Sequence, residues 1–506
     1  MNTFKQIGVI GSGAMGRGIA QLFATAGVPV LLYDSRSEAT QEALQANRAL
    51  LERAAAKGKL SSEALASALA CMGAATHLEA LADCDLLIEA IVENLEAKQG
   101  LFRALEQVVR ADAVLATNTS SLSVSLIASA CRHPERVAGF HFFNPVPLMK
   151  IVEVVRGELT DPQVVQRLAA LAGLAGHFAA TTPDSPGFLV NHAGRAFGPE
   201  ALRILDEGIA TPAQIDRILK DSLGFRMGPF ELFDLVGLDI SHAVMESIHA
   251  QFYQDPRYTP SALVPPRLAS GLLGRKTGQG FYPYQDGSVV EEAQQVPSQV
   301  AITQPFWLDC DDSAMRERIA AVLPVAGVVL EQGDHPSASA ICLVTPLGED
   351  ASSVITRKRL PSRRSLALET FVGFDTRRVL MRQPALDAQV LAQACQALGA
   401  DGVPVEVIND SPGFIAQRVL AGIVNLGCEI AQRRIAEPAT LDRAVQLALG
   451  YPHGPLAFGD HYGALQIRQI LHQLHELYQE PRYRASPWLR RRVQLGLPLT
   501  TPEDPA

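Results

Sequence analysis

The chain has 506 residues, a net charge of −9, 47% hydrophobic and 19% charged residues, and a pI near 5.8. This is a globular composition too long for one core, enough for about three or four domains, and it excludes a disordered chain. The basic runs are short, Arg357-Lys358-Arg359 and Arg490-Arg491-Arg492, which argues against a nucleic-acid partner. The seven cysteines lie far apart with no CxxC pair, a pattern that fits a reducing compartment and not a disulfide framework or a zinc site. The N-terminus enters a strand with no signal-like core, and no apolar run reaches membrane-spanning length. The expectation is a soluble, cytoplasmic protein with no metal and no membrane partner.

Residues Gln6-Ile-Gly-Val-Ile10 read as a strand, followed by Gly11-Ser-Gly13-Ala14-Met15-Gly16, a helical pattern closed by Gly27, and a second strand ending in Asp34. In dinucleotide binding, Gly11 makes the tight turn, Gly13 lets the pyrophosphate reach the helix N-terminus, and Gly16 lets helix and strand pack closely. Asp34 suits the ribose hydroxyls and would repel the extra phosphate of NADP, so the expected cofactor is NAD. A glycine-rich turn in some other α/β protein is the bland alternative; the full strand–turn–helix–strand context favours the sharper one. Glu38 to Ala70 is helical by pattern and carries Arg53, Lys57 and Lys59, either a solvated hairpin or a basic edge for a phosphorylated ligand.

Asp85 to Ile91 is a buried strand, and the helix after Glu93-Asn94 contains Lys98. The carboxyl end of such a strand faces the cofactor in a doubly wound sheet. Thr117-Asn118-Thr119-Ser120-Ser121 is a hydroxyl-rich turn at the tip of the next strand, suited to capping the helix after it or, at Ser120, to holding substrate. Val137 to Phe143 then places His141 in an apolar strand, and Asn144-Pro145 with Val146-Pro147 forbids a helix directly after it. Lys150 to Val155 reads as a returning strand that brings Glu153 beside His141. A carboxylate on one imidazole nitrogen fixes the tautomer and leaves the other nitrogen free for a proton; a core histidine beside an unrelated glutamate is the alternative. One more helix and strand lead to a boundary near residue 183, after which the pattern turns helical and sets Asn191 on the first turns of a long helix.

In these motifs the chain resembles the short-chain L-3-hydroxyacyl-CoA dehydrogenases of β-oxidation. The resemblance runs from residue 5 to 284 and rests on Gly11-x-Gly13-x-x-Gly16, Glu89-Ala-Ile-Val-Glu-Asn-Leu95, Thr117-Asn-Thr-Ser-Ser-Leu122, His141-Phe-Phe-Asn-Pro-Val-Pro147, Ser185-Pro-Gly-Phe188, Gly228-Pro-Phe-Glu-Leu-Phe-Asp234 and Lys276-Thr-Gly-x-Gly-Phe-Tyr282. It implies His141 as general base, Glu153 as its orienting carboxylate, and Ser120 and Asn191 as holders of the substrate oxygens. It further implies an NAD site of Gly11, Gly13, Ala14, Met15, Gly16, Asp34, Glu93, Lys98, Asn118 and Ser120, and an acyl-CoA substrate met by Lys57 and Arg53. Leu50 falls near the position of a serine that helps the coenzyme A contact in relatives.

Downstream, Ser411-Pro-Gly-Phe414, Gly454-Pro455, Asp460 and Tyr478-Gln-Glu-Pro-Arg-Tyr483 echo Ser185–Phe188, Gly228-Pro229, Asp234 and Tyr253–Tyr258, a duplicated helical domain. Between the copies, Val372-Gly-Phe-Asp375 resembles Ala138-Gly-Phe-His141, Gln417 matches Asn191, and strands are expected at Val325–Leu330 and Ser339–Val344 without a glycine turn. The expected fold is an α/β Rossmann-type NAD-binding domain over 1–183, an all-α domain over 184–285, a reduced Rossmann-like domain over 296–403 and a second helical copy over 404–506, with one active site. The layout resembles the dehydrogenases of aerobic phenylacetate breakdown that act on 3-hydroxyadipyl-CoA, and Arg195 or Arg226 would suit a second carboxylate. In single-copy relatives the helical domain is the dimer interface, so the second copy is expected to replace the dimer partner within the chain; the sequence leaves a monomer and a homodimer both open. The rivals are a lysine-base β-hydroxyacid dehydrogenase, a general 3-hydroxybutyryl-CoA or fatty-acid enzyme, and a non-catalytic NAD-binding scaffold. A second half that binds a pathway enzyme is also compatible with the sequence.

Overall fold

The computed structural model describes residues 4–290 and 300–503, so the expected boundary at residue 296 lies outside the described residues. The chain forms two compact units, residues 1–192 with 433–449 and residues 193–432 with 450–506. Among the described residues no helix is long and apolar enough to cross a membrane.

The first unit is built on β1 (Ile7–Ile10), β2 (Val30–Tyr33), β3 (Met72–Ala74), β4 (Leu86–Glu89), β5 (Val114–Thr117), β6 (Val137–Phe142), β7 (Ile151–Arg156) and β8 (Phe178–Pro183). They pair in the order β3-β2-β1-β4-β5-β6-β7-β8. Every pair is parallel except β6–β7, which is antiparallel and sets His141 opposite Glu153. Both faces are buried, which is why β1, β4 and β5 read as continuous apolar runs. The helices α1 (Ala14–Thr25), α2 (Ser37–Ala56), α3 (Ser62–Ala70), α4 (Leu95–Val108), α5 (Val124–Ala128) and α6 (Pro162–Leu174) cover the sheet. One core joins Val9, Phe23, Phe140, Phe142, Val152, Val154 and Leu168, and the other Ile10, Leu87, Phe102, Leu115 and Ile127. Asn191 lies on a helix of only four residues, Val190–Ala193, not on a long one. Pro199 lacks a backbone N–H and restricts Gly198 before it, so the chain restarts as a second helix over Gly198–Asp206. In the second copy no proline interrupts, and Ala416–Gln432 is one unbroken helix.

The second unit holds a short hairpin of β9 (Tyr284–Gln285) and β10 (Ser288–Val289), and a sheet of β11 (Phe306–Asp309), β12 (Ile341–Val344), β13 (Ser365–Leu368), β14 (Arg378–Arg382) and β15 (Val405–Asn409) in that spatial order. The expected strand at Val325–Leu330 is instead a turn over Leu323–Ala326, closed by Gly327 at φ 73. Its end touches the sheet only as an isolated bridge between Leu330 and Phe306. β11 runs into Cys310-Asp311-Asp312, and Asp312 caps the next helix by accepting from Ala314 N and Met315 N, so no glycine turn stands there.

The strand register also corrects the expected match of Asp375 to His141. Arg382 lies beside Asn409, which precedes Asp410-Ser411-Pro412-Gly413-Phe414, as Arg156 lies beside Pro183 before Asp184-Ser185-Pro186-Gly187-Phe188. Counting back, Val379 stands at the position of Glu153. Ala367 pairs with Met381 as Gly139 pairs with Val155, which puts Glu369 at the position of His141. Glu369 is 1% exposed and accepts from Gln417 Nε2 (2.9 Å) and Phe371 N (2.9 Å). Gln417 also accepts from Gly348 N (2.8 Å). Gln417 thereby bridges Glu369 and the loop that holds Gly348.

The two helical copies pack on each other inside this unit. The 416–432 helix lies on the 198–206 and 212–223 helices, and the turn Pro256–Tyr258 meets its own counterpart Pro481–Tyr483. Phe225 meets Tyr451, again its counterpart in the repeat, with ring centroids 5.0 Å apart and perpendicular. Equivalent positions in contact are the mark of a two-fold, isologous interface. Arg418, fully buried, reaches Glu200 and Glu207 (2.7 and 2.8 Å) across it and the Tyr478 hydroxyl (2.8 Å) within its own copy.

Burial pushes the Glu369 carboxyl up from 4.5 to about 7, against the pull of Gln417 and backbone donors. The folded state then holds this proton to higher pH than the unfolded chain, so stability falls as pH rises from about 4.5 to about 7. Glu369→Gln is expected to leave thermal unfolding nearly unchanged at pH 5 and to raise it at pH 8, a gap worth roughly 3 kcal/mol. Parallel melting curves across that range would refute the assignment.

Candidate active site

In the first unit β1 ends in Gly11 at φ +105, where an added Cβ would lie 2.5 Å from the Ala90 carbonyl. A Cβ on Gly16 would lie 1.8 Å from the Gly11 carbonyl, whereas a Cβ on Gly13 would meet nothing within 4 Å. Gly13 is the N-cap of α1, so the helix's first N–H groups face that open space, a cradle that suits a pyrophosphate. Ala14 and Met15 form the first turn of α1. Asp34 sits at the tip of β2 and accepts from Ser12 N (2.8 Å) and Arg36 N (3.1 Å). These features fit NAD.

At the end of β6, His141 Nδ1 lies 2.5 Å from Glu153 Oε2, with His141 5% and Glu153 0% exposed. The other Glu153 oxygen accepts from Leu189 N (2.9 Å) and Val190 N (2.8 Å). One carboxylate therefore fixes both the imidazole and the start of the short helix that carries Asn191. Asn191 Nδ2 donates to the Ser120 carbonyl (3.3 Å), and Phe142 N donates to Asn118 Oδ1 (2.8 Å). These bonds and the adjacent backbone gather His141, Glu153, Ser120, Asn191 and Asn118 into one cluster.

Glu93 organises the Ser120 turn. Its Oε1 accepts from Thr119 Oγ1 (2.6 Å), Ser120 N (3.0 Å), Ser121 N (3.1 Å) and Ser121 Oγ (2.9 Å), while Oε2 faces Lys98 Nζ at 3.3 Å. Burial raises the Glu93 carboxyl, but the Thr119 hydroxyl, the Lys98 charge and the serine donors hold it below the usual range. Lys98 is 1% exposed and paired at 2.5 Å with Glu89, which also accepts from Thr117 Oγ1 (2.7 Å).

Several expected residues belong to other elements. Arg53 and Lys57 are exposed at the C-terminal end of α2. Arg195 and Arg226 belong to the second unit. Desolvation holds the Arg195 guanidinium down at about 10, near Tyr451, and Arg226 is exposed. The sequence reading missed Asp184, which accepts from Ser123 Oγ (2.7 Å), Val124 N (3.0 Å) and Ser125 N (2.7 Å) and ties α5 to the end of β8. A signal was available. Asp410 recurs before the second Ser-Pro-Gly-Phe and binds Ala351 N (2.8 Å) and Ser352 N (3.1 Å) in the same way. Among the described residues no cluster of His, Cys, Asp and Glu could hold a metal ion.

Fold and site together define a nicotinamide-dependent dehydrogenase acting on a hydroxyl group. The NAD-binding domain of 3-hydroxyacyl-CoA dehydrogenase matches residues 6–182, and the C-terminal domain of 3-hydroxyacyl-CoA dehydrogenase matches twice, over 187–284 and 413–502. The chain is 35% identical to the 3-hydroxyadipyl-CoA dehydrogenase of Escherichia coli over 98% of both chains. It is 39% identical to a 3-hydroxybutyryl-CoA dehydrogenase of Clostridioides difficile over 55% of this chain and 99% of that one. A solved structure described as 3-hydroxybutyryl-CoA dehydrogenase from Escherichia coli K12 superposes with a TM-score of 0.85 at 34% identity, covering 97% of this chain and 99% of that one. The chain belongs to the 3-hydroxyacyl-CoA dehydrogenase family and is an NAD-dependent oxidoreductase.

The glycine geometry separates binding from folding. Gly13→Ala is expected to keep the wild-type melting temperature and weaken NAD binding about tenfold or more, because the new methyl meets only the ligand. Gly16→Ala is expected to lower both, because the methyl collides with the backbone. Calorimetric titration with NAD and thermal melts of the two variants decide the matter.

Proposed function

We propose that this chain oxidises the 3-hydroxyl of 3-hydroxyadipyl-CoA to the 3-oxo thioester, with His141 as general base. The observation that carries the reading is the buried His141–Glu153 hydrogen bond of 2.5 Å. Glu153 holds the tautomer that leaves Nε2 ready to take the hydroxyl proton, and it stabilises the imidazolium that forms. NAD, when bound, would supply the acceptor for the hydride that leaves C3 as His141 takes the proton from the 3-hydroxyl oxygen. Ser120 and Asn191 would hold the reacting oxygen, and the burial of His141 and Glu153 strengthens the bond between them. Gly11, Gly13, Ala14, Met15 and Gly16 would hold the pyrophosphate, Asp34 the adenosine ribose, and Glu93 and Asn118 the nicotinamide side, with Lys98 acting through Glu93. Lys57 and Arg53 offer positive charge to the coenzyme A phosphates at the solvent edge. A lysine-base mechanism is disfavoured because Lys98 is committed to Glu89 and Glu93. A non-catalytic scaffold is disfavoured by the intact cluster.

The adipyl substrate draws its support from the full-length Escherichia coli relative of that name. A second reading, 3-hydroxybutyryl-CoA, draws on the name given to the full-length solved structure. We also propose that the second helical copy takes the place of a dimer partner, which the contact between equivalent positions of the two copies supports. The protein would then act as a monomer in the cytoplasm.

NADH formation from 3-hydroxyadipyl-CoA and 3-hydroxybutyryl-CoA, measured in parallel, is expected to favour the adipyl chain. His141→Gln is expected to lower kcat on either substrate by at least about a hundredfold. Higher kcat/KM for the butyryl chain would transfer the assignment to the short neutral substrate, and no turnover of either would sink the enzyme reading.

A further inference from the structure

The catalytic unit includes a helix from the half of the chain that has no base. Residues 433–449 group with the first sheet, and the Pro438–Leu449 helix packs on β7 and β8. Side chains alternate along a strand, so Val152 and Val154 point to one face of β7 and Glu153 to the other. The first face is filled by α6, whose Val164, Val165, Leu168 and Leu171 share a core with Val152 and Val154. On β8, Ala180 lies beside Glu153 and Thr182 beside Val155. Both are buried, at 0% and 1% exposure, although β8 is the edge strand. Their cover is the 438–449 helix, on the face that carries Glu153.

The repeat supplies an independent view of the same docking. The first copy's equivalent helix, Pro212–Leu223, sits on the second sheet. There Arg217 Nε binds Glu406 (2.7 Å), Gln214 Nε2 reaches the Val407 carbonyl (3.0 Å), and Asp221 binds Arg377 (2.7 Å). Glu406 is the counterpart of Ala180, and Gln214, Arg217, Ile218 and Asp221 are the counterparts of Thr440, Arg443, Ala444 and Leu447. Each copy's helix therefore covers the other copy's sheet. Ala444, 0% exposed, lies next to Arg443 and four residues after Thr440, the counterparts of the sheet-binding Arg217 and Gln214.

We infer that the 438–449 helix is a positioning element for Glu153, so that the second half of the chain completes the active site that only the first half carries. The helix keeps water from the strand pair behind the carboxylate. In that dry setting the bonds from Glu153 to His141, Leu189 N and Val190 N keep one geometry. This deepens the proposed function and rests on Glu153 as the partner of the base.

The test uses full-length protein. Ala444→Leu overfills the contact and pushes the helix off the strands. Ile218→Phe enlarges the matching position over the second sheet, where no base stands. Ala444→Leu is expected to lower kcat about tenfold or more with both KM values unchanged within about twofold, because Glu153 touches neither ligand. It is also expected to speed hydrogen exchange at the amides of Leu189 and Val190, which donate to Glu153. Ile218→Phe should lower the melting temperature while leaving kcat and those amides as in wild type, and Ala444→Ser should restore kcat. If Ala444→Leu does not fold, Ala444→Val takes its place. Equal losses of kcat in the Ala444 and Ile218 variants, or a loss confined to KM, would overturn the inference. Should wild type oxidise no 3-hydroxyacyl-CoA, the proposed function fails by itself, and exchange at Leu189 and Val190 still decides the role of the helix.

Discussion

The bond between His141 and Glu153 is the constraint to which the first unit is fitted. A carboxylate with no exposed surface is stable in its charged form only when its lone pairs are taken up. Glu153 achieves this by dividing its oxygens, one on the imidazole and one on two backbone N–H groups at the start of the Asn191 helix. The reversal of chain direction between β6 and β7 is what makes the pairing available, since it sets the two residues opposite each other in register. A parallel pair would have needed a long crossover between them. The broken helix after Asn191 belongs to the same design, because a short first turn directs its N–H groups at Glu153 before the chain restarts at Pro199.

The second sheet shows what remains when that constraint is lifted. With Val379 at the carboxylate position, an imidazole at the position of Glu369 would have no partner to orient it. Glu369 is instead closed over by Gln417 and raised toward neutrality by burial. The parts that hold elements together have persisted. Asp410 still ties β15 to the helix after β12 as Asp184 ties β8 to α5, and the same antiparallel pair recurs between β13 and β14. The second sheet keeps the packing frame of the first with different residues at the positions of His141 and Glu153.

Much of this was legible in the sequence because local chemistry fixed it. The glycine turn, the strand ending in Asp34, the hydroxyl-rich turn and the His141–Glu153 spacing each depend on a few adjacent residues, and the repeat is plain from Ser-Pro-Gly-Phe. The failures share a cause in non-local pairing. Val372-Gly-Phe-Asp375 looks like the histidine strand, but Glu369 precedes its facing residue Val379 by two positions fewer than His141 precedes Glu153, and only the ladder shows that Glu369 holds the place. Val325–Leu330 has strand-forming residues, yet Pro324 and Gly327 favour a turn and no neighbour pairs with most of it. Asp184 was overlooked because its partners lie some sixty positions away, Ser123 to Ser125. The exchange of helices between the copies has no sequence signal, because both helices are amphipathic and either sheet would accept either one by pattern alone.

Fusion of the two copies in one chain also explains how the interface could become unequal. In a homodimer every substitution appears twice across the two-fold axis, so a large charged residue must be tolerated on both sides. Here Arg418 stands in the second copy where His192 stands in the first, and its guanidinium meets Glu200, Glu207 and Tyr478 only once. A fully buried guanidinium offsets its desolvation only with a complete set of acceptors, and removing any one of them would leave charge stranded in the interior. Such a set specifies one mutual arrangement of the copies more than it adds stability. Each copy's helix meanwhile packs on the opposite sheet, 438–449 on the first and 212–223 on the second.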